Sequence, residues 1–135
     1  MTALTKDRNT LVRDGIIGSH PVAAAAIIYA GAIVCLDAAG NAVPGSTATT
    51  LTAIGRAEAR ADNAGGAAGD INVEVRKGVF KYANDGVDTI DRTHIGATAY
   101  IVDDQTVAAN DGTGTRSAAG QIVQVDSDGV WVEFS

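Results

Sequence analysis

Apolar and polar residues alternate without a break from Ile71 to Arg76, with Ile71, Val73 and Val75 set against Asn72, Glu74 and Arg76. Successive side chains of a strand point to opposite faces, so this segment predicts a half-buried antiparallel strand. Lys77-Gly78 then turns into Val79, Phe80, Lys81 and Tyr82, and the Asn84-Asp85-Gly86 cluster ends a unit that reads as a hairpin. Downstream, Ala99 to Val102, Thr106 to Ala109, Ile122 to Val125 and Val130 to Phe134 are short apolar runs separated by Asp103-Asp104, by the loop Asn110 to Thr115 and by Asp128-Gly129. An Asp-Gly pair supplies the positive φ that a tight or bulged turn needs, so the last two runs predict a hairpin. Helix signals occur only in Thr89 to Gly96, where Thr89 or Asp91 can cap a short turn and Gly96 can stop it.

Upstream the pattern changes from alternation to continuous apolar runs. Val22 to Tyr29 and Ala32 to Asp37, bounded by Pro21, Ala30-Gly31 and Gly40-Asn41, are short for helices and predict two strands. A polar stretch from Pro44 to Thr50 leads into a further strand over Leu51 to Ala59, and Ala61 to Gly69 has the composition of a flexible loop. Thr2 to Arg13 is polar and aperiodic, which predicts an extended arm. No charged residue occurs from Gly15 to Leu36, a stretch long enough on count for a membrane span. Gly15, Gly18, Ser19, His20, Pro21 and Gly31 interrupt it, and the apolar part from Val22 falls short of the ~20 residues a spanning helix needs. Val34 before Cys35, and Asp7 near the start, speak against a lipoprotein or export signal. With about eight short strands, the expected fold is all-β: a small antiparallel β-barrel or compact β-sandwich, an extended N-terminal arm over residues 1–14, a single β domain over 15–135, and at most one short helix.

At 135 residues the chain has room for one ordinary domain. Its 62 hydrophobic residues include 25 Ala, 14 Val and 11 Ile but only 4 Leu, which favours β-branched strands over helices and predicts one thin core of small side chains. A partner surface would then add stability. The 10 Lys and Arg against 16 Asp and Glu give a net charge of -6, the opposite of a nucleic-acid footprint. The first 13 residues are the exception: Lys6, Arg8 and Arg13 stand against Asp7 alone there and can meet an acidic neighbour.

Candidate chemistry narrows quickly. His20, His94 and Cys35 show no Cys pair, no HExxH and no His-x-His spacing, so they assign neither a metal site nor a nucleophilic centre. Cys35, inside an apolar run, reads as a buried, inert thiol. The acidic turns Asp103-Asp104, Asn110-Asp111-Gly112 and Asp126 to Gly129 lack the oxygen count, the closing Glu and the flanking helices of an EF-hand loop. The Gly65-Gly66-Ala67-Ala68-Gly69 segment lacks the Gly-Lys-Ser/Thr ending of a phosphate loop. No carboxylate pair lies in a pattern that predicts burial, so no catalytic residue, metal or cofactor is assigned and an enzyme is not expected. Trp131 falls on the opposite strand face from Val130, Val132 and Phe134, either as a rim core residue or as an exposed interface anchor, and is the preferred contact residue.

A further pattern runs through the C-terminal half: Thr93-His94-Ile95-Gly96, Ala99 to Ala108 (AYIVDDQTVA), Gly112-Thr113-Gly114-Thr115-Arg116, Ala119-Gly120-Gln121-Ile122-Val123 and Asp126 to Val132 (DSDGVWV). Together with Gly55-Arg56-Ala57-Glu58 and, after the Gly-rich loop, Val73 to Phe80 (VEVRKGVF), it resembles the small virion structural proteins of tailed bacteriophages and Mu-like prophages, the capsid cement or head decoration group. The resemblance implies a structural protein made in the host cytoplasm that binds the outer surface of the assembled head and links neighbouring major capsid subunits, with a homo-oligomer, a trimer in particular, favoured. It implies no active site, no small-molecule substrate, and no nucleic-acid or membrane partner. The contact residues are read from this chain alone, as Lys6, Arg8 and Arg13 of the arm together with Trp131. The alternatives are a tail or head-tail connector component, and a small ligand- or carbohydrate-binding β domain with Trp131, Tyr100 and Tyr82 around one pocket.

Overall fold

The computed structural model describes residues 2–11, 13 and 15–135, and among these the chain forms twelve strands and one 3-10 turn. Seven strands come first: β1 (Ile17–Pro21), β2 (Ile27–Ile28), β3 (Ile33–Leu36), β4 (Ala42–Pro44), β5 (Thr52–Ala57), β6 (Ala61–Asp62) and β7 (Asn72–Arg76). Five follow: β8 (Gly78–Asn84), β9 (Thr98–Ile101), β10 (Thr106–Ala108), β11 (Ala118–Asp126) and β12 (Gly129–Phe134). The first group makes an antiparallel five-stranded sheet in the order β1-β7-β5-β3-β4, with β2 and β6 as a separate two-stranded ladder. The second group closes into a barrel in the order β10-β8-β12-β11-β9, antiparallel except for the β8–β10 pair. The fold is therefore all-β and contains a closed barrel, as the patterning predicts.

Two hydrophobic clusters replace the single thin core expected from composition. Ile33 and Cys35 of β3 pack with Ile101, Val107, Ile122, Val132 and Phe134 on the barrel side. Val34, between them, packs with Val22, Ile28, Ala57, Val73 and Val75 on the other face of the sheet. β3 is thus a wall shared by both clusters, which explains its unbroken apolar run: a strand covered on both faces has no polar face to alternate. The half-buried β7 alternates as predicted, with Val73 and Val75 buried and Asn72 and Glu74 exposed.

The first predicted strand is displaced toward the N-terminus. Of Val22 to Tyr29 only Ile27–Ile28 is a strand, and Val22 makes a lone parallel bridge to Ala42. The run of four alanines from Ala23 to Ala26 has little side chain to bury, and the backbone turns instead. The Ala23 and Ala25 N–H groups donate to the carbonyls of Ala42 and Gly66 at 2.9 and 3.1 Å, and Ala25 takes a φ of 59°. Backbone pairing makes the strand upstream, where every residue from Ile17 to Pro21 has a partner in β7 despite polar content. No pattern announces β4, which pairs with β3.

Lys77-Gly78 is a junction rather than a hairpin turn. β7 pairs with β1 and β5 whereas β8 pairs with β12 and β10, so the chain passes directly from sheet to barrel through Gly78 at a φ of 149°. The β11–β12 hairpin does form, closing at Asp126 opposite Gly129. Its glycine serves packing, not turn geometry: Gly129 is absent from the positive-φ residues, and a Cβ there would stand 2.9 Å from the Tyr82 carbonyl oxygen on β8. The helix signal yields one 3-10 turn, Arg92–His94, with Asp91 as N-cap. The Asp91 carboxylate accepts from the Thr93 N–H and His94 Nδ1 accepts from the Asp91 N–H, both at 2.9 Å.

Candidate interaction surfaces

The arm is the most exposed part of the chain. Every residue from Thr2 to Leu11, and Arg13, is exposed, and none is in a strand. Met1, Val12 and Asp14 of the predicted arm lie outside the described residues. Lys6 and Arg8 border hollows walled only by arm residues, so neither is held against the β body. Arg13 differs, because it lines a groove of about 390 Å³ beside β1, with Lys77, His20, Ile54 and Val75.

Trp131 is placed elsewhere, on the outer face of the barrel. Its indole N–H donates to Asp126 Oδ2 at 2.7 Å across the hairpin, and Lys81, its cross-strand neighbour on β8, holds Nζ 5.8 Å from the ring centroid. Lys81 also pairs with Asp128 Oδ1 at 2.7 Å, which holds the Asp128 carboxyl below the usual carboxylate range. Trp131, Lys81, Val79, Phe80, Tyr82 and Arg56 line an open groove of about 500 Å³ where the barrel meets the sheet. The Arg56 guanidinium lies 4.2 Å from the Phe80 ring centroid and 2.6 Å from Glu58 Oε1, and Arg76 Nε reaches Glu58 Oε2 at 3.3 Å. The hydrogen bond from Arg56, aided by the one from Arg76, holds the Glu58 carboxyl low.

The four predicted contact residues therefore do not form one patch. Lys6 and Arg8 are on the free arm, Arg13 is at the β1 groove and Trp131 is on the barrel wall. Patterning did not single out Arg56 or Lys81, although Lys81 alternates with the inward-facing Phe80 and Tyr82, and that period was the available signal. Of the three aromatics expected around one pocket, Tyr82 and Trp131 line the barrel-wall groove, whereas Tyr100 of β9 does not. Tyr82 is largely a core residue; its hydroxyl donates to the Gly31 carbonyl at 3.2 Å, and burial raises its pKa.

The residues considered for chemistry are dispersed. Cys35 is fully buried on β3, and desolvation pushes its thiol up to about 12. His94 is spent on the cap of the 3-10 turn, and His20 lies on β1. Among the described residues Asp104 is the one carboxyl shifted up, first by burial and then by the charge of Asp103. Among the described residues no group of three or more His, Cys, Asp or Glu could hold a metal ion, and no helix is long and apolar enough to cross a membrane. Comparison of the chain with protein-family models, with curated proteins and with solved structures finds no match.

Proposed function

We propose that this chain is a capsid cement or decoration protein of a tailed-phage head, a structural protein that binds the outer capsid surface and links neighbouring major capsid subunits as a homo-oligomer. The observation that carries the reading is the arm: its eleven described residues, bearing Lys6, Arg8 and Arg13, are all exposed and precede a body whose strands are tied into a sheet and a barrel. Before Arg13 reaches the β1 groove, the arm is exposed throughout its described residues, and such a segment gains order on a partner at an entropic cost that many repeated contacts on a symmetric shell can offset. The residue patterns that resemble the cement group, in parts of β5, β7 and the barrel strands, support the same reading.

Cosedimentation of the purified protein with undecorated heads, alongside its native mass, tests the proposal. Saturable binding at a stoichiometry commensurate with the capsid lattice is expected. Binding at a few copies per particle would favour a tail or connector component, and no binding would overturn the head assignment. Removing Thr2 to Arg13 is expected to weaken head binding while changing the unfolding free energy by less than about 0.5 kcal/mol, because exposed residues without specific contacts contribute little. Full retention on heads after that deletion would dispose of the arm as the contact.

A further inference from the structure

The five-stranded sheet ends on β1, which is paired on one side only. The Lys77 N–H donates to the Ile16 carbonyl at 2.7 Å and the Val22 N–H to the Ile71 carbonyl at 3.0 Å, bracketing the β1–β7 ladder. Antiparallel ladders alternate hydrogen-bonded and non-hydrogen-bonded pairs. In the register that runs from Ile17 opposite Arg76 to Pro21 opposite Asn72, Gly18 and His20 therefore bond to β7. The N–H and C=O groups of Ile17 and Ser19 and the C=O of Pro21 then point away from the sheet. Natural edges are usually blunted by a lysine, a bulge or a covering loop. β1 has no lysine and no register shift, and only its last residue is a proline.

Beside this edge lies the groove that holds Arg13. Gly18 opens it: the position faces Val75 across the ladder, and His20 Nε2 stands 3.1 Å from where a Cβ would be. Ile54, Val75, Arg13 and Lys77 line it together. Among the described residues its lining contains two permanent cations and no carboxylate, in a chain whose net charge is -6. Glu74, opposite Ser19, lies on the other face of the sheet from Val75.

We propose that β1 accepts a sixth strand from a partner, an extended segment that carries carboxylates on the face toward Arg13 and Lys77 and apolar side chains on the other face. Backbone hydrogen bonds to Ile17 and Ser19 would supply the affinity, and the two cations the choice of partner. A second copy of β1 fits less well, because Ile17 to Pro21 contains no carboxylate. The site is independent of whether the partner is a capsid subunit.

The test uses the isotope-labelled full chain and two blocked peptides about eight residues long, enough to span β1 and a flank, one alternating valine with glutamate and the other valine with lysine. The glutamate peptide is expected to slow amide exchange at Ile17 and Ser19 and to bind about tenfold more tightly than the lysine peptide at low salt. Arg13→Glu combined with Lys77→Glu, two surface changes, should reverse that preference without altering the fold. Ser19→Pro, which removes one outward N–H, should weaken both peptides. No protection at these amides at millimolar peptide would overturn the strand assignment, and equal binding of the two peptides would overturn the acidic partner. Protection that appears without peptide and grows with protein concentration would make the occupant a second copy, and would also overturn it. Head binding is a separate readout, so failure here and failure of the cement reading are distinguishable.

Discussion

The barrel and the open sheet are built from the same residue types, yet they treat their edges and cores differently. Pairing of β9 with β10 closes the barrel, so none of its five strands is left with one neighbour. The sheet ends in β1 and β4; Val22 bridges to Ala42 at the β4 edge, and β1 stays open. The barrel-side cluster contains Ile90, Ile101, Ile122, Tyr82 and Phe134, with the Tyr82 and Phe134 rings edge to face at 6.1 Å. The other cluster relies on Ala32, Ala42, Ala57 and Ala61 alongside its valines. Apolar burial scales with side-chain area, so stability is concentrated in the barrel, and the half with less to lose carries the open edge and the arm. The proposed partner contacts therefore fall on the half that contributes less to the core.

Truncating one isoleucine in each cluster gives the largest effects. Ile101 and Ile28 are both fully buried. Ile101→Ala is expected to cost about 4 kcal/mol, because a closed barrel cannot collapse around the cavity, and Ile28→Ala about 3 kcal/mol, because its two-residue strand can shift. Urea unfolding measures both, and a larger loss at Ile28 would reverse the ranking of the two halves. Since β3 faces both clusters, each variant should still unfold in one transition. Cys35, buried on β3, reports on the same point: native protein should resist alkylation at pH 8, and labelling faster than global unfolding would show that the halves open separately.

Two glycines compare the halves at their bulges. A Cβ on Gly55 would meet the Arg76 carbonyl oxygen at 2.3 Å, and one on Gly120 the Glu133 carbonyl oxygen at 2.2 Å. Each lies beside a register shift, opposite Val34 in the sheet and opposite Ala99 in the barrel. Gly55 also has a φ of 145°, so Gly55→Ala combines strain with overlap and should cost about 3 kcal/mol, against about 2 kcal/mol for Gly120→Ala. Thermal unfolding of the pair tests the order.

What the patterning revealed follows the same division. β8, β9 and β12 alternate, because one face packs inward and the other meets solvent, and all five barrel strands can be read from short runs between turn residues. β1 is illegible because Gly18, Ser19 and His20 carry no strand pattern; its backbone pairing with the sequence-distant β7, Ile17 opposite Arg76 through Pro21 opposite Asn72, makes it a strand. The same long-range pairing hid the open edge and its groove. Charge alone marks Arg13 in the sequence, and only the fold sets it beside Lys77. Composition predicts a flexible loop over Ala61 to Gly69 because glycine and alanine have no anchoring side chains, yet Asn63 anchors it. Buried Asn63 donates through Nδ2 to the carbonyls of Ala23 and Ala67, both at 3.0 Å. Asn63→Ala leaves those acceptors unpaired and should cost about 2 kcal/mol by urea unfolding, with faster amide exchange confined to this loop.

The smallest effects come from the surface ion pairs that each half uses to tie its strands. In the sheet, Glu58 links Arg56, on β5, to Arg76, on β7, and in the barrel Asp128 links to Lys81 alone. Both carboxyls are held below their ordinary range by these partners. A carboxyl whose pKa is lower in the folded chain stabilises it fully above the unfolded value, near about pH 4, and that contribution disappears as the pH falls through the folded value. Asp104 works in the opposite sense, since burial raises its pKa and protonation relieves it, so it cannot produce an acid-side loss. Glu58→Gln and Asp128→Asn should therefore each separate from the parent near pH 7 and converge with it on the acid side, and high salt should narrow both gaps. Because Glu58 has two cationic partners and Asp128 has one, the Glu58 gap should be the wider. A wider Asp128 gap in the melting curves would mean that the barrel hairpin depends more on charge than the sheet does.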